Sequence, residues 1–237
     1  MKIFIIAAML IFNHGAFATI PGELASPWTT SARPWLLGGA ATTGLLLVLQ
    51  KEIVDPTQKE ISGEKPLRQY SVIGDYGGQL IPNVLYAGAM GIAFWSTGNR
   101  QYADHAMIMI KASTYALGTS FTLKYLVHER RPNHADYLSF PSGHATAAFA
   151  FAGTVTGEHG FWPYGLFANA LATFTALSRI NDNKHWLHDV VAGATIGTVF
   201  GLGVSEYNQK KESEKQIQVL PIYGGKYAGL MFRTEFK

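Results

Sequence analysis

The chain has 237 residues and a formal net charge of +3, from 19 Lys and Arg against 16 Asp and Glu. So small a positive excess excludes nucleic-acid binding as an inference from charge, and 48% hydrophobic residues exclude a disordered chain. Only 15% of the residues are charged and none is cysteine, which indicates a membrane protein or an apolar bundle without disulfides or thiolate chemistry.

The N-terminus has the pattern of a secretory signal peptide. Lys2 precedes the apolar run Ile3–Phe12, and Ala16–Ala18 is a small-x-small cleavage pattern. The apolar run is shorter than the roughly 20 residues that a membrane-spanning helix needs. We therefore expect residues 1–18 to be a signal peptide that is removed on export.

The next part of the chain, residues 19–208, predicts an all-α domain. Six segments in it are nearly free of charged residues, are long enough for helices and are rich in Ala, Leu, Met and Phe. These segments are Pro34–Gln50, Tyr76–Asn99, His105–Leu123, Tyr137–Gly157, His159–Ser178 and Val190–Ser205. We expect a bundle of about six helices. The polar stretch Lys51–Tyr70, with two X-Pro dipeptides, indicates a loop between the first two helices.

Residues 209–237 have a different pattern. Gln209–Gln216 is a charged run, which we expect to be a solvated linker. Ile217–Tyr223 and Lys226–Phe236 predict two strands around Gly224 and Gly225. We expect a short C-terminal β-hairpin that stabilises the bundle, and a partner-binding strand edge is the alternative.

The number of helices that cross a bilayer is open from sequence alone. Gly193, Gly197 and Gly201 recur at four-residue spacing, which brings helices close together in membranes and in soluble bundles alike. If all six helices crossed after signal removal, the polar clusters described next would face the cytoplasm, which conflicts with export. We expect either fewer spanning helices or a periplasmic bundle that lies on the membrane.

Three polar clusters stand at the ends of the predicted helices. They are Lys124–Pro132 after the third helix, Pro141–His144 at the start of the fourth, and Ser178–Asp189 between the fifth and sixth. In an up-down bundle these helix ends lie on the same side. The sequence therefore predicts that the three clusters form one pocket.

This pocket is predicted to bind phosphate or a phosphate mimic. Lys124, Arg131 and Arg179 bring three positive charges, and guanidinium groups make paired hydrogen bonds to tetrahedral oxyanions. Ser142 and Gly143 stand at a helix start, where free N–H groups and the helix dipole favour an anion.

Two histidines are candidates for the chemistry. His185 and Asp189 are four residues apart on one helix face, so the carboxylate can hold one ring nitrogen and leave the other as a nucleophile. His144 can give a proton to the leaving oxygen. A phosphohistidine intermediate, later hydrolysed by water, follows from these roles.

The clusters resemble the three-part signature of the type 2 phosphatidic acid phosphatase superfamily: K-x-x-x-x-x-x-R-P, P-S-G-H and S-R-x-x-x-x-x-H-x-x-x-D. The resemblance covers about residues 103–205. It implies that His185 is the nucleophile, that Asp189 orients it and that His144 is the general acid. Phosphate is held in that family without a metal or other cofactor, at positions that match Lys124, Arg131, Ser142, Gly143 and Arg179.

The resemblance implies a hydrolase of phosphate monoesters or pyrophosphates. Apolar helices and low charge favour a lipid-linked substrate, such as phosphatidic acid, phosphatidylglycerol phosphate, undecaprenyl diphosphate or lipid A. A soluble periplasmic acid phosphatase of broad specificity is the main alternative, followed by a vanadate-dependent haloperoxidase and a non-enzymatic membrane scaffold. We expect a phosphorylated lipid or small phosphate ester as partner, no nucleic acid, and a location in the periplasm or on a membrane facing it.

Several neighbouring residues have simpler interpretations. Asp75, within Gly74–Gly78, is expected to be a turn or cap residue, with a place in the pocket as the alternative. His188 is expected to pack or meet solvent, and His128–Arg130 to be exposed near the rim. A zinc site at His185, His188 and Asp189 is disfavoured because the surrounding cations repel a metal ion.

Overall fold

The computed structural model of the protein describes residues 20–215, 217–224 and 227–234. The predicted signal peptide lies outside the described residues. Within the described chain there are nine α-helices and two strands. The helices are α1 (Ile20–Thr29), α2 (Arg33–Val48), α3 (Asp55–Glu64), α4 (Ser71–Gly77), α5 (Ile81–Thr97), α6 (Arg100–Val127), α7 (Gly143–His159), α8 (Leu166–Asn181) and α9 (Leu187–Lys215). The strands are β1 (Ile217–Gly224) and β2 (Tyr227–Thr234).

The all-α bundle with a C-terminal hairpin is confirmed. The two strands pair in antiparallel register, with Ile217 opposite Thr234 and Gly224 opposite Tyr227. Each of the six predicted segments contains a helix, although several boundaries differ from the prediction.

The loop predicted at Lys51–Tyr70 is wrong, because α3 and short helical turns on either side occupy most of it. Pro56 stands in the first turn of α3, where a helix needs no backbone N–H from it. Residues 209–215 of the predicted linker Gln209–Gln216 are likewise helical, since α9 continues to Lys215, and Gln216 lies outside the described residues. The Gln, Lys and Glu residues of this run are good helix formers.

The second predicted helix, Tyr76–Asn99, is two helices with a turn between them. α4 ends at Gly77, and α5 begins at Ile81 after Leu80 takes a left-handed backbone conformation with φ 64°. Because of this turn, α4 does not continue in the direction of α5, and it packs against α8. This packing decides where Asp75 lies.

The centre of the bundle is the contact between α7 and α9. Buried residues lie on every side of α7, as expected for a helix surrounded by others. A Cβ atom on Gly197 of α9 would lie 2.4 Å from the Thr146 carbonyl oxygen, and one on Gly201 would lie 2.7 Å from the Thr154 nitrogen. The glycine repeat of α9 is therefore what lets the two backbones meet.

The other helices surround this pair. α1, α2 and α6 pack on α9, α8 packs on α7, and α5 packs on α6. Glu23 of α1 is completely buried and accepts hydrogen bonds from Lys111 Nζ at 2.7 Å and Tyr115 Oη at 2.8 Å. A buried carboxylate needs such partners, so this contact fixes α1 against α6.

In the part of the chain that the structure describes, α9 is the single unbroken helix long and apolar enough to cross a membrane, over Leu187–Glu214. α2 and the helical residues 50–64, bent by 81°, would together make a second candidate. In α9, 61% of the most apolar window is buried inside the bundle. Core helices of soluble proteins have the same length and composition, so these features alone do not assign a membrane span.

We predict that Gly197→Ala destabilises the protein by about 1–3 kcal/mol, because an added methyl group forces α7 and α9 apart. The matched control is Gly44→Ala, since a Cβ on Gly44 of α2 would contact nothing within 4 Å. That exposed change is expected to leave stability equal or raise it by up to about 1 kcal/mol. The measurement is the denaturation midpoint of both variants, and equal midpoints would contradict the packing argument.

Candidate active site

The three polar clusters meet at one cavity of about 690 Å³. It lies where α6 and α8 end and α7 and α9 begin, as the up-down arrangement predicts. The predicted site residues that line it are Lys124, Arg131, Gly143, His144, Arg179 and His185. Asp189 and Ser142 are fully buried behind this wall. The cavity is also lined by Asp75, Asn133 and Asp136, which lie outside the three motifs, and by Lys184, which occupies a variable position of the third motif.

His185 stands between Arg131 and Asp189. Its Nε2 atom is 3.1 Å from Arg131 Nη1, and its Nδ1 atom is 3.5 Å from Asp189 Oδ2. A guanidinium group only donates hydrogen bonds, so Nε2 must present its lone pair to Arg131. A neutral His185 then carries its proton on Nδ1, facing Asp189, and the unprotonated Nε2 is the atom available for attack.

Burial lowers the pKa of His185 below its ordinary value, although Asp189 acts in the opposite direction. The charges of Arg131 and Lys124 lower that pKa further. The imidazole is therefore neutral at pH 7, which is the form that a nucleophile requires.

Asp189 is held by more than the histidine. Its Oδ2 atom accepts hydrogen bonds from Ser139 Oγ at 2.6 Å and from the backbone N–H of Trp186 at 2.8 Å. Its backbone oxygen accepts the N–H of Ser142 at 2.9 Å, which joins the second motif to the third. Ser139 was missed in the sequence because a serine in a loop has no distinctive pattern.

His188 and Glu129 form a second buried pair behind Asp189. His188 is completely buried, in agreement with the packing expectation, and its Nε2 is 2.9 Å from Glu129 Oε1 and 3.3 Å from Asp189 Oδ1. Glu129 is half-buried rather than exposed, and burial raises its pKa. The three side chains have ligand atoms within 4.8 Å of one another, as a metal site requires. His188 Nε2 is already the hydrogen-bond partner of Glu129 Oε1, and this pairing accounts for the burial of both side chains beside Asp189.

The two arginines occupy different sides of the cavity. Arg131 donates from Nε to Asp136 at 2.8 Å and from Nη1 to the Lys184 carbonyl at 3.1 Å, besides contacting His185. Arg179 is almost fully buried and donates from Nε to Ser178 Oγ at 3.1 Å and from Nη1 to Asp75. Its Nη2 atom is buried without a hydrogen-bond partner.

Lys124 has a role that the sequence did not indicate. Its ammonium group donates to the carbonyl oxygens of Leu138 at 2.8 Å, Ser139 at 3.3 Å and Pro141 at 2.5 Å. Burial, and then the charge of Arg131, lower the pKa of Lys124 to about 8. Because an ammonium group has three N–H bonds, these contacts use all of them and hold the loop before α7 in place.

The start of α7 presents an anion-binding end to the cavity. Ser142 caps the helix, with Oγ accepting from the Ala145 N–H at 3.4 Å. Gly143 and His144 follow in the first turn, where backbone N–H groups have no partner within the helix. Both residues line the cavity, so the positive end of the helix dipole faces it.

His144 is half-buried, and burial followed by the charge of Arg179 lowers its pKa to about 4. Its Nε2 atom lies 3.3 Å from Asp75 Oδ1, which opposes that shift. Asp75 is therefore a cavity residue, which was the less favoured sequence interpretation. The glycines around it were the signal, since they permit close packing of this segment.

One wall of the cavity is apolar. It consists of Leu80 before α5, Leu117 and Phe121 of α6, and Ala147 of α7. Phe121 is 54% exposed, so this wall continues to the protein surface. The cavity thus has a cationic end that holds the histidines and an apolar side that opens outward.

We predict that Ser139→Ala lowers the free energy of unfolding by about 1.5–3 kcal/mol, because the buried Asp189 carboxylate loses a hydrogen bond. Ser96→Ala is the matched control, since Ser96 is exposed and bonds only to a carbonyl of its own helix. Chemical denaturation at pH 7 measures both variants. A midpoint for Ser139→Ala equal to that of the control would contradict a structural role for this bond.

Comparison with known proteins agrees with the motifs. Residues 103–213 match the model of the PAP2 superfamily. A segment of 81 residues is 40% identical to a lipid A 1-phosphatase of Porphyromonas gingivalis, covering 33% of this chain and 18% of that protein. A segment of 120 residues is 28% identical to the putative undecaprenyl-diphosphatase YbjG of Escherichia coli K12, covering 46% of this chain and 60% of that protein.

A solved structure shows the same fold. The crystal structure of a transmembrane PAP2-type phosphatidylglycerolphosphate phosphatase from Bacillus subtilis superposes with a TM-score of 0.53 at 20% sequence identity. The match covers 74% of this chain and 96% of that one. At this identity the likeness establishes the fold alone.

Proposed function

We propose that this protein, whose residues 103–213 match the model of the PAP2 superfamily, hydrolyses phosphate monoesters or pyrophosphates of lipids through a phosphohistidine intermediate. The observation that carries this proposal is the position of His185. Its unprotonated Nε2 lies beside Arg131 on the cavity wall, with Asp189 behind the other ring nitrogen.

The first step is attack on phosphorus. The lone pair of His185 Nε2 forms the N–P bond while the bond from phosphorus to the leaving oxygen breaks. The ring becomes positively charged, and the Asp189 carboxylate stabilises that charge from the Nδ1 side. Arg131 and the free Nη2 of Arg179 stabilise the charge that builds on the phosphoryl oxygens.

His144 supplies the proton that the leaving oxygen needs. Its pKa of about 4 belongs to a ring facing Arg179 and Arg131. A phosphoryl group between these cations places negative charge beside the ring and raises that pKa. His144 therefore takes up its proton together with the substrate and gives it to the departing alkoxide or phosphate.

Water completes the cycle. Neutral His144 accepts a proton from a water molecule as its oxygen attacks phosphorus, and the bond to His185 Nε2 breaks. Inorganic phosphate leaves, His185 is neutral again and His144 loses its proton on product release. The hydrogen bonds of Lys124 support a loop-holding part in this cycle, through which it sets the start of α7 for the phosphate.

The apolar wall supports a lipid substrate. The cationic end is large enough for a phosphorylated headgroup, and Leu117 and Phe121 continue from it to the surface, where an acyl or isoprenyl chain would lie. Segments of 81 and 120 residues of this chain match proteins named as a lipid A 1-phosphatase and a putative undecaprenyl-diphosphatase. We infer the same class of substrate here.

The protein surface supports association with a membrane. Aromatic and aliphatic side chains are widely exposed, and examples are Trp95 at 87%, Leu126 at 75%, Trp162 at 75% and Phe167 at 75%. Large apolar side chains exposed on a protein surface are typical of sites that meet lipid or another protein. With the signal-like sequence before residue 19, this favours an exported domain on a membrane that faces the periplasm, and the hairpin as its appendage.

We predict that His185→Ala lowers phosphate release by about 10³-fold or more, because the nucleophile is lost. The assay uses short soluble phosphate esters, phosphatidic acid and an isoprenyl diphosphate, with membrane fractionation of the same preparation. His159→Ala, at the opposite end of α7, is the control that keeps wild-type rates. EDTA is expected to leave the wild-type rate unchanged. Activity of His185→Ala within tenfold of wild type would refute the nucleophile assignment.

We predict that Phe121→Asn lowers the ratio of lipid phosphate to p-nitrophenyl phosphate hydrolysis by about tenfold, the expected effect of losing an apolar contact of about 1.5 kcal/mol. The ratio isolates the lipid chain, because both substrates share the phosphoryl group. Tyr70→Asn is the control, since Tyr70 is an exposed aromatic residue before α4 and does not line the cavity. An unchanged ratio in Phe121→Asn would place the lipid chain elsewhere.

A further inference from the structure

A segment outside the three motifs is pressed against the cavity. It is Gly74–Gly78, formed by the end of α4 and the residue after it. A Cβ on Gly74 would lie 2.2 Å from Ser178 Oγ, and one on Gly78 would lie 2.5 Å from the Cβ of His144. Side chains at these two positions would displace α4, so both glycines permit the contact that brings Asp75 to the site.

Asp75 joins the two sides of the cavity. Its Oδ1 atom accepts a hydrogen bond from Arg179 Nη1 and lies 3.3 Å from His144 Nε2. Its Oδ2 atom accepts from Gln79 Nε2 at 2.9 Å, which fixes the plane of the carboxylate. The Asp75 side chain is 40% exposed and lines the cavity, so Asp75 is not a core-packing residue.

We propose that Asp75 is a positioning residue of the active site, whose carboxylate directs the His144 imidazole and the Arg179 guanidinium toward the same phosphoryl group. The inference rests on the proposed phosphatase activity. It adds a residue of α4 that lies before residues 103–213 and belongs to none of the three motifs.

The hydrogen bonds of Arg179 show what this contact achieves. Ser178 Oγ takes the Nε–H group and Asp75 takes Nη1, while Asp182 lies 3.5 Å from Nη2 and forms no hydrogen bond with it. The guanidinium plane is therefore fixed by two contacts, with Nη2 left to donate to an anion.

The surroundings of His144 show the second effect. The charged and titratable groups that face it are Arg179, Asp75, His185 and Arg131. Asp75 is the carboxylate in this set, so it is the group that favours a protonated His144. The pocket therefore contains two His–Asp pairs, with Asp75 beside Nε2 of His144 and Asp189 beside Nδ1 of His185.

These contacts predict that removing the Asp75 charge affects phosphate binding and kcat in opposite ways. In Asp75→Asn, Arg179 loses a counter-charge and the cavity becomes more positive, so inorganic phosphate is expected to bind about threefold to tenfold more tightly. His144 loses the carboxylate that favours its protonated form, so kcat is expected to fall by roughly tenfold to a hundredfold. KM is therefore expected to stay equal or fall while kcat falls.

The pH dependence of kcat shows in which direction Asp75→Asn shifts the pKa of His144. A general acid must be protonated, so its titration limits kcat on the alkaline side. Removing the Asp75 charge lowers the pKa of His144, and the alkaline limb is expected to move to lower pH by about one unit. Asp75→Glu keeps the charge and is expected to restore part of kcat and the wild-type position of the limb. A merely structural role would move none of these features in this direction.

The experiment measures kcat, KM and the kcat pH profile of wild type, Asp75→Asn and Asp75→Glu with one phosphate ester. Isothermal titration with inorganic phosphate follows binding without turnover. Asp55→Asn is the matched control, because Asp55 is exposed at the start of α3, bonds to Gln50 and does not line the cavity. Its constants are expected to equal those of wild type.

The outcomes separate this inference from the proposed function. An inactive wild type whose phosphate affinity still rises in Asp75→Asn refutes the phosphatase and keeps Asp75 in an anion site. An active wild type with unchanged kcat and limb in Asp75→Asn overturns the inference alone. If Asp75→Asn does not fold, Gln79→Ala releases the same carboxylate. A shift of the alkaline limb in Gln79→Ala supports the inference, and an unmoved limb overturns it.

Discussion

The site depends on how closely α7 and α9 approach each other. A Cβ on Gly193 would lie 2.4 Å from the carbonyl oxygen of Ser142, so a larger residue there would push the start of α7 away from α9. The approach lets the Ser142 N–H reach the backbone oxygen of Asp189 at 2.9 Å. Because Ser142 caps the helix that presents His144, and Asp189 lies behind His185, one interhelical contact sets the two histidines relative to each other.

The three cationic side chains of the pocket are held by hydrogen bonds within the protein. Lys124 is held by three carbonyl groups, Arg131 by Asp136 and the Lys184 carbonyl, and Arg179 by Ser178 and Asp75. Each of these contacts occupies a donor that a bound phosphate would otherwise use, so it reduces the free energy of phosphate binding. They also fix the remaining donors before a substrate arrives, which is how a preorganised site stabilises a developing charge.

His185 and His144 line the same cavity, but each has a carboxylate beside a different ring nitrogen. Burial lowers the pKa of both, so neither ring is charged at neutral pH in the free protein. His185 has its carboxylate on the Nδ1 side and shows Nε2 to the cavity, whereas His144 has its carboxylate at Nε2. This difference in geometry suits one ring to attack and the other to exchange a proton with substrate.

The sequence by itself determined the helical class and the three clusters, because helix periodicity and motif spacing are local properties of the chain. It also determined that the clusters meet, since short connections in a bundle leave few alternatives. It misassigned Lys51–Tyr70 and residues 209–215, because X-Pro dipeptides and charged residues are compatible with a helix as well as with a loop. Only the tertiary structure decided the positions of Asp75 and Ser139 and the bonds of Lys124. These depend on which backbones pack together, and distances between residues far apart in sequence are set by packing rather than by local pattern.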